Sequence, residues 1–134
     1  MIDGFFKVCA DAPQIEVADV YQNAQNIYFS AKKAVQAGVK LLVLPELCLT
    51  GVSCGDLFFQ PTLQNKAKDA LAAIQQRTKS FDMLIVLGLP LAVMGKLFDC
   101  SVLLYKGKIL GVVPKTNVNA NGFNRWFCTP CEET

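Results

Sequence analysis

The stretch Leu41-Leu42-Val43-Leu44-Pro45-Glu46 decides the fold of this chain. Four consecutive apolar residues are typical of a short strand that is buried on both faces, because a strand with one solvated face alternates apolar and polar residues. The proline cannot donate to a sheet, so the strand ends there and Glu46 lies at its carboxyl end. A strand of this kind needs helices packed over it, and the flanking sequence predicts them.

On the amino-terminal side, residues 5–10 predict a first strand, and a long amphipathic helix is expected to begin near Val17. Gly38 follows the helical pattern where a left-handed residue would end the helix. Apolar residues at helical spacing predict the face that packs in the core: Val17, Val20, Tyr21, Ala24, Ile27, Tyr28, Ala31 and Val35.

On the carboxyl-terminal side, Thr62 is the expected cap of a second helix that ends near Ser80. A further buried strand is predicted over residues 83–89. The second helix would pack in the core through one apolar face: Leu63, Ala67, Ala70, Leu71 and Ile74.

Two glycine-containing turns, residues 94–96 and 106–108, flank predicted strands over residues 97–105 and 109–113 and indicate antiparallel hairpins. A strand-helix-strand-helix-strand beginning followed by hairpins predicts an α/β domain with a mixed sheet and helices packed on one face. A doubly wound dinucleotide-binding fold is disfavoured, since no glycine-rich phosphate motif is present. Residues 117–134 show no periodicity and are expected to form a tail without fixed structure.

The composition of the chain argues against nucleic acid and membranes as partners. The net charge is +2 without a run of like charges, so neither nucleic acid nor an anionic membrane is expected as a partner. The longest apolar stretch, residues 83–94, is too short to cross a bilayer. The first residues lack the pattern of a secretory signal, and we expect a cytoplasmic location.

Six cysteines and no histidine bear on metal and redox chemistry. No second cysteine pair accompanies Cys128 and Cys131 at finger spacing, so a metal site is not expected. Cysteines in a reducing compartment stay as thiols, and we expect no structural disulfide. Cys128-Thr129-Pro130-Cys131 has the spacing of a redox pair but lacks the following helix that would lower a thiol pKa.

Glu46 and Lys115 are the candidate catalytic residues, because each follows a predicted strand at its carboxyl end. Burial there would raise the pKa of Glu46 and suit it to act as a general base near neutral pH. A base and a fixed ammonium are two of the three groups needed to cleave an amide by nucleophilic catalysis. Two alternatives remain open: Glu46 bonded to a nearby turn with Lys115 in solvent, or a strand-end ion pair without catalytic role.

A resemblance to a known family sharpens the hypothesis. Residues 42–51 (LVLPELCLTG) and 53–58 (SCGDLF) resemble the signature of the glutaminase domain of glutamine-dependent NAD synthetases. The Pro-Glu-Leu element is shared across nitrilase-superfamily amidohydrolases, whereas Cys-Gly-Asp-Leu-Phe is typical of the synthetases. Residues 88–90 (GLP), 107–116 (GKILGVVPKT) and 125–127 (RWF) extend the resemblance along nearly the whole chain.

The resemblance implies a nitrilase-like fold, with residues 1–134 as an incomplete carbon-nitrogen hydrolase domain forming half of an αββα sandwich. It implies Glu46 as general base and Lys115 as oxyanion-stabilising residue of a Cys-Glu-Lys triad that hydrolyses glutamine. The family's nucleophilic cysteine lies beyond the lysine and is absent from these 134 residues. No cofactor is implied here, since ATP and deamido-NAD would bind a separate synthetase domain that uses the ammonia. Pairing of outer faces implies a homo-oligomer.

The sequence departs from the family pattern after Lys115. Residues 117–124 lack the family's tyrosine and acidic residues, and Asn121 stands roughly where the tyrosine would be. Cys48 and Cys54 match non-catalytic family positions and are not expected to replace the nucleophile. Two further functions therefore stay open: an amidase of the nitrilase superfamily that acts on another amide, and a noncatalytic binding or assembly fragment.

Overall fold

The computed structural model describes residues 4–118 and 124–130. A five-stranded mixed sheet carries two long helices, so the predicted fold class is confirmed. Neither helix of the described residues is long and apolar enough to cross a membrane. In chain order the elements are β1 (Val8–Ala10), α1 (Val20–Gln36), β2 (Leu41–Val43), a 3-10 helix (Gly55–Phe59), α2 (Pro61–Arg77), β3 (Leu84–Val93), β4 (Lys96–Tyr105) and β5 (Lys108–Pro114).

The strands follow chain order across the sheet. The first three are parallel, and β3, β4 and β5 are joined by antiparallel hairpins. Both hairpins turn through two residues with positive φ: Met94 (51°) with Gly95 (78°), and Lys106 (50°) with Gly107 (80°). This is the type I′ geometry that matches the right-handed twist of the flanking strands. The predicted hairpins are therefore confirmed.

The two faces of the sheet differ in burial. Leu42, Ile85 and Leu104 lie opposite one another on three neighbouring strands, and each is at most 1% exposed. They belong to one core with apolar residues of both helices. On the opposite face, Val43 is 40% exposed and its neighbour Val86 is partly buried. Helices therefore cover only one face, as the sequence predicted.

The predicted core stripe of α1 needs correction. Val17 precedes the helix, whose first turn is capped by Asp19 accepting a hydrogen bond from the Gln22 amide at 3.1 Å. Val17 and Tyr21 are 53% and 75% exposed, whereas Asn23 is fully buried. Asn23 binds the Glu16 amide at 2.7 Å and its carbonyl at 2.8 Å, and donates to the Leu49 carbonyl at 3.1 Å. Val20, Ile27 and Ala31 are buried, so most of the predicted face is confirmed. The burial of Asn23 is tolerated because its polar atoms are hydrogen bonded.

Replacing Asn23 with alanine is expected to lower the free energy of unfolding by about 2 kcal/mol, because three backbone polar groups lose their partner. Urea unfolding followed by circular dichroism measures this change. Gln36→Ala is the matched control, since Gln36 is an exposed amide on the same helix. Equal losses in the two variants would contradict a structural role for the Asn23 network.

Several predicted element boundaries also change. Pro61 is the first residue of α2 and Gln60 precedes it without a side-chain cap bond, so the predicted cap at Thr62 is wrong. Proline suits this position because the first helical amides have no partner within the helix. The helix ends at Arg77, three residues before the predicted end. Its predicted apolar face is confirmed, since all five residues are buried.

The outer strands differ from prediction at their ends. β1 begins at Val8 rather than at Phe5, which is 80% exposed. β3 continues past its predicted end to Val93, through Pro90. β4 pairs with β3 along this whole length, but β2 pairs only with residues 84–86, so on the β2 side no strand needs the amide that Pro90 lacks.

The expected unstructured tail, residues 117–134, falls partly on residues 119–123 and 131–134, which lie outside the described residues. In the described part, Val118 and Phe127 are each 2% exposed. The ring of Phe127 packs edge-on against Phe58 with 4.9 Å between centroids, and the Cys128 amide donates to the Leu97 carbonyl at 2.8 Å. These contacts hold residues 127 and 128 against the 3-10 helix and β4.

Candidate functional site

Glu46 lies in a tight turn that follows β2. The turn closes through hydrogen bonds from the amides of Thr50 and Gly51 to the Leu47 carbonyl, at 3.1 and 2.7 Å. Leu47 adopts a positive φ of 53°, which is uncommon for a branched residue and marks a backbone held by its surroundings. The turn therefore fixes the direction in which the chain presents Glu46.

Gly88 of β3 lets this turn approach the sheet. A Cβ atom at Gly88 would lie 2.5 Å from the Leu47 nitrogen and 3.1 Å from the Pro45 carbonyl oxygen. The turn is also bonded to β3, because the Leu49 amide donates to the Gly88 carbonyl at 3.2 Å. Only glycine fits between these backbones. The sequence pattern marked Gly88 through its Gly-Leu-Pro motif but did not reveal this role.

Lys115 follows β5 and faces Glu46. Its backbone amide donates to the Asp99 carbonyl at 2.7 Å, which continues the pairing of β5 with β4 by one residue. Its Nζ lies 2.7 Å from Oε1 of Glu46, and both side chains remain partly exposed. The structure thus brings together the two residues singled out from the sequence, although 69 positions separate them.

Asp99 is a third charged residue of the site, and the sequence analysis missed it. It lies on β4 opposite Pro90, is 4% exposed, and hydrogen bonds to Glu46. Its Oδ2 atom has no hydrogen-bond partner among the described residues. A signal was present, since an aspartate interrupts the otherwise apolar start of the predicted strand. The three charged residues line a cleft of about 300 Å³ with Ser101, Val113 and Pro114.

Electrostatics distinguishes the two carboxyl groups. The hydrogen bond with Asp99 is the main cause that holds the pKa of Glu46 below its ordinary value, and Lys115 adds to it. Burial opposes the shift, so the expectation that burial would raise the pKa of Glu46 is wrong in its net direction. For Asp99, burial and the neighbouring Glu46 raise the pKa to about 8. The same cleft thus shifts the pKa values of its two carboxyl groups in opposite directions.

Cys48, Cys54 and Cys100 lie in surroundings that favour the neutral thiol. Burial raises the pKa of Cys48 and of Cys100 to about 11, and raises that of Cys54 as well. All five described cysteines are free thiols. The possible pairing of Cys128 with Cys131 cannot be placed, because Cys131 lies outside the described residues, as does Asn121. Within the described ranges, no three Cys, Asp or Glu side chains gather as a metal site requires.

A family model and the sequences of known proteins both match most of this chain. A family model described as carbon-nitrogen hydrolase matches residues 9–125. A glutamine-dependent NAD(+) synthetase of Mycobacterium tuberculosis is 34% identical over 115 residues, which are 84% of this chain and 17% of that protein. The synthetase of Oryza sativa subsp. indica is 31% identical over 113 residues, or 81% of this chain and 15% of that protein. This chain therefore spans less than a fifth of the length of these relatives.

Solved structures show the same fold. A glutamine-dependent NAD(+) synthetase from Cytophaga hutchinsonii superposes with a TM-score of 0.89 at 27% identity, over 96% of this chain and 22% of that one. An amidase from Nesterenkonia sp. superposes with a TM-score of 0.83 at 17% identity, over 95% of this chain and 49% of that one. At this low identity, the second likeness concerns the fold alone.

Proposed function

Because the chain belongs to the carbon-nitrogen hydrolase family, we propose that it is the first part of the glutamine-hydrolysing domain of a glutamine-dependent NAD synthetase. The observation that carries this proposal is the contact of 2.7 Å between Glu46 and Lys115 in a cleft at the ends of their strands. The relatives that match most of the chain are synthetases of this kind, and the family model over residues 9–125 includes both residues.

In the proposed reaction, a cysteine thiol outside these 134 residues loses its proton to the Glu46 carboxylate and attacks the side-chain amide carbon of glutamine. The Lys115 ammonium stabilises the negative oxygen of the tetrahedral intermediate. Glu46 then transfers the proton to the departing ammonia, and a thioester forms. Water, activated by Glu46, hydrolyses the thioester to glutamate and restores the thiol. The hydrogen bond between Asp99 and Glu46 and the charge of Lys115 lower the pKa of Glu46 and so support the ionised form that this reaction requires.

The described cysteines support placing the nucleophile elsewhere. A nucleophilic cysteine needs surroundings that favour the thiolate. Cys48 and Cys54 are buried and bond to backbone carbonyls, and burial raises the pKa of both. Cys100 neighbours Asp99 in sequence, but it is also buried and its pKa is raised. We therefore assign the nucleophile to none of these three residues.

The names of the relatives support a proposal for the fate of the ammonia. They are NAD(+) synthetases, and this chain matches only 17% of the Mycobacterium tuberculosis protein. We propose that a domain outside these residues binds ATP and deamido-NAD and uses the ammonia to amidate the latter. On this proposal the 134 residues hold no cofactor of their own, and the reaction takes place in the cytoplasm.

A second candidate keeps the chemistry and changes the substrate. Residues 117–124 lack the tyrosine and acidic residues that the glutaminase resemblance implies, which favours a different amide. The third candidate is a noncatalytic fragment that takes part in assembly. In it, Glu46 and Lys115 form an ion pair and have no catalytic role. The partly uncovered apolar face of the sheet, with Val43 40% exposed, is the observation that favours it.

Ammonia release separates the three candidates. The chain is compared with a completed chimera, in which the rest of the carbon-nitrogen hydrolase domain comes from the Mycobacterium tuberculosis relative. We expect the chimera, and not the chain alone, to release ammonia from glutamine. A second chimera with the Cytophaga hutchinsonii domain guards against an unfavourable junction. Folded chimeras that hydrolyse butyramide and not glutamine would overturn the glutaminase proposal, and folded chimeras that hydrolyse neither would favour the assembly fragment.

A further inference from the structure

The charged cleft contains one more carboxyl group than a base and an ammonium require. Glu46 and Lys115 form a matched pair at 2.7 Å. Asp99 is more deeply buried than either, at 4% exposure. A buried carboxylate is disfavoured because its charge loses hydration, and Lys115, the cation that favours the ionised form of Asp99, also contacts Glu46. These contacts make the protonation state of Asp99 the central property of the cleft.

The hydrogen bond between Asp99 and Glu46 indicates which of the two carboxyl groups carries a proton. Two ionised carboxylates only accept, so Asp99 and Glu46 can bond to each other only if one of them carries a proton. Glu46 is the carboxyl group that contacts the ammonium, and this contact favours its ionised form. The Oδ2 atom of Asp99 receives no hydrogen bond from the described residues, so no donor compensates a negative charge there. The proton therefore belongs on Asp99.

We propose that Asp99 is a positioning residue that stays protonated at neutral pH and donates a hydrogen bond to the Glu46 carboxylate, so that the base is held between an acid and an ammonium. The same residue also positions the other partner, because its backbone carbonyl accepts the Lys115 amide at 2.7 Å. Asp99 thus fixes Glu46 through its side chain and Lys115 through its backbone. The catalytic meaning of this role rests on the proposed function, whereas the proton on Asp99 does not.

The titration behaviour supports the geometry. Burial first, and then Glu46, raise the pKa of Asp99 to about 8, while the hydrogen bond with Asp99 lowers that of Glu46. The titratable groups around Asp99 in the described residues are Glu46 after β2, Lys115 after β5 and the adjacent Cys100 on β4. Because the two carboxyl groups interact through one hydrogen bond, the two titration steps belong to the pair. The upper step is the loss of the proton they share.

Carbon-13 NMR of the side-chain carboxyl groups tests the proposal on the chain itself. In the unaltered chain we expect one carboxyl titration near pH 8. In Asp99→Asn this step disappears, while Glu46 still titrates below its ordinary range because the amide N–H replaces the acid as donor. In Asp99→Ala the donor is lost and the pKa of Glu46 rises. Asp56→Asn is the matched control, since Asp56 is an exposed aspartate and its replacement leaves the step near pH 8 unchanged.

Two outcomes would overturn the proposal: Asp99 titrating together with the exposed carboxyl groups, or Glu46 titrating identically in the unaltered chain and in Asp99→Ala. If Asp99→Ala fails to fold, the pH dependence of stability decides. A pKa that folding raises makes the free energy of unfolding fall as the pH rises from about 4 to about 8. Relative to Asp99→Asn, the unaltered chain should lose stability over that range, and a constant difference would reject the proposal.

These measurements require neither glutamine nor a nucleophile. Failure of the proposed function would appear as folded chimeras without glutaminase activity, whatever the titration shows. Failure of the proton assignment would appear in the NMR and stability data even if the chimeras are active. The two hypotheses can therefore be rejected separately.

Discussion

Glu46→Gln is expected to lower the kcat for glutamine hydrolysis by the completed chimera about 1000-fold, since general acid and base catalysis contributes roughly that much. Glutamine has nearly the shape of glutamate and can still accept a hydrogen bond from Lys115, so the cleft should keep its form. It cannot take a proton from the nucleophile or transfer one to ammonia. The loss should therefore appear in kcat with little change in KM, because the contacts to bound substrate survive.

Steady-state ammonia release measures this loss. Glu16→Gln provides the same chemical change at an exposed position outside the cleft, and it should leave kcat within about twofold, as expected of a surface substitution. Unfolding curves of both variants check that the chimera remains folded. If Glu46→Gln retained most of the activity, Glu46 would be a structural member of an ion pair, and the base would have to be sought elsewhere.

Gly88→Ala is expected to lower the free energy of unfolding by about 3 kcal/mol, the upper part of the range for overpacking a filled site. The added Cβ would stand 2.5 Å from the Leu47 nitrogen, and the neighbouring atoms belong to backbone that is bonded in place. A flexible side chain could move aside, whereas this turn can move only by breaking its bonds to β3. Because the turn carries Glu46, the completed chimera should lose activity as well.

Gly111→Ala is the matched control. Gly111 is also a glycine within the sheet, but a Cβ there would meet nothing within 4 Å. We expect a change in stability of at most about 0.5 kcal/mol, as at other unobstructed positions. Urea unfolding of the two variants measures both values, provided that the slope with denaturant stays constant. Similar losses at both positions would mean that the close approach of the turn does not explain the need for glycine at position 88.

The sequence predicted those parts of the fold that depend on local pattern. The run from Leu41 to Leu44 predicted a strand, the periodicity of α2 predicted its core face, and the glycine-containing turns predicted the hairpins. Each is encoded by residues close together in the chain. The expectation that this strand is buried on both faces is wrong, because Val43 is 40% exposed on the face that no helix covers. Most of the core face of α1 was also predicted, but the burial of Asn23 was not, because Asn23 is buried through its bond to the Leu49 carbonyl, 26 residues away. No local pattern reveals a partner at that separation.

In the site, too, the sequence predicted what depends on local pattern and did not predict what depends on distant contacts. Glu46 and Lys115 could be singled out because each follows a predicted strand, and charged residues at strand ends are visible in sequence. Asp99 could not be assigned, because its role depends on a deep burial and on a neighbour 53 positions away that only the folded sheet supplies. Gly88 belongs to a motif that the sequence shows. The reason for a glycine at this position is visible only in the structure, where the backbone of the turn after β2 leaves no room for a Cβ atom.

The order of strands also has a consequence for assembly. Lys115 and Asp99 come from the contiguous hairpins of β3, β4 and β5, which close over short distances along the chain. Glu46 comes from the other side of the sheet, where β2 joins β3 only after the chain has passed through α2. Contacts of this kind carry a larger entropic cost of loop closure than hairpins do. Glu46, Asp99 and Lys115 therefore come together only after β2 has paired with β3. In a chain that has formed only the hairpins, Asp99 and Lys115 are neighbours but Glu46 is still absent from the cleft.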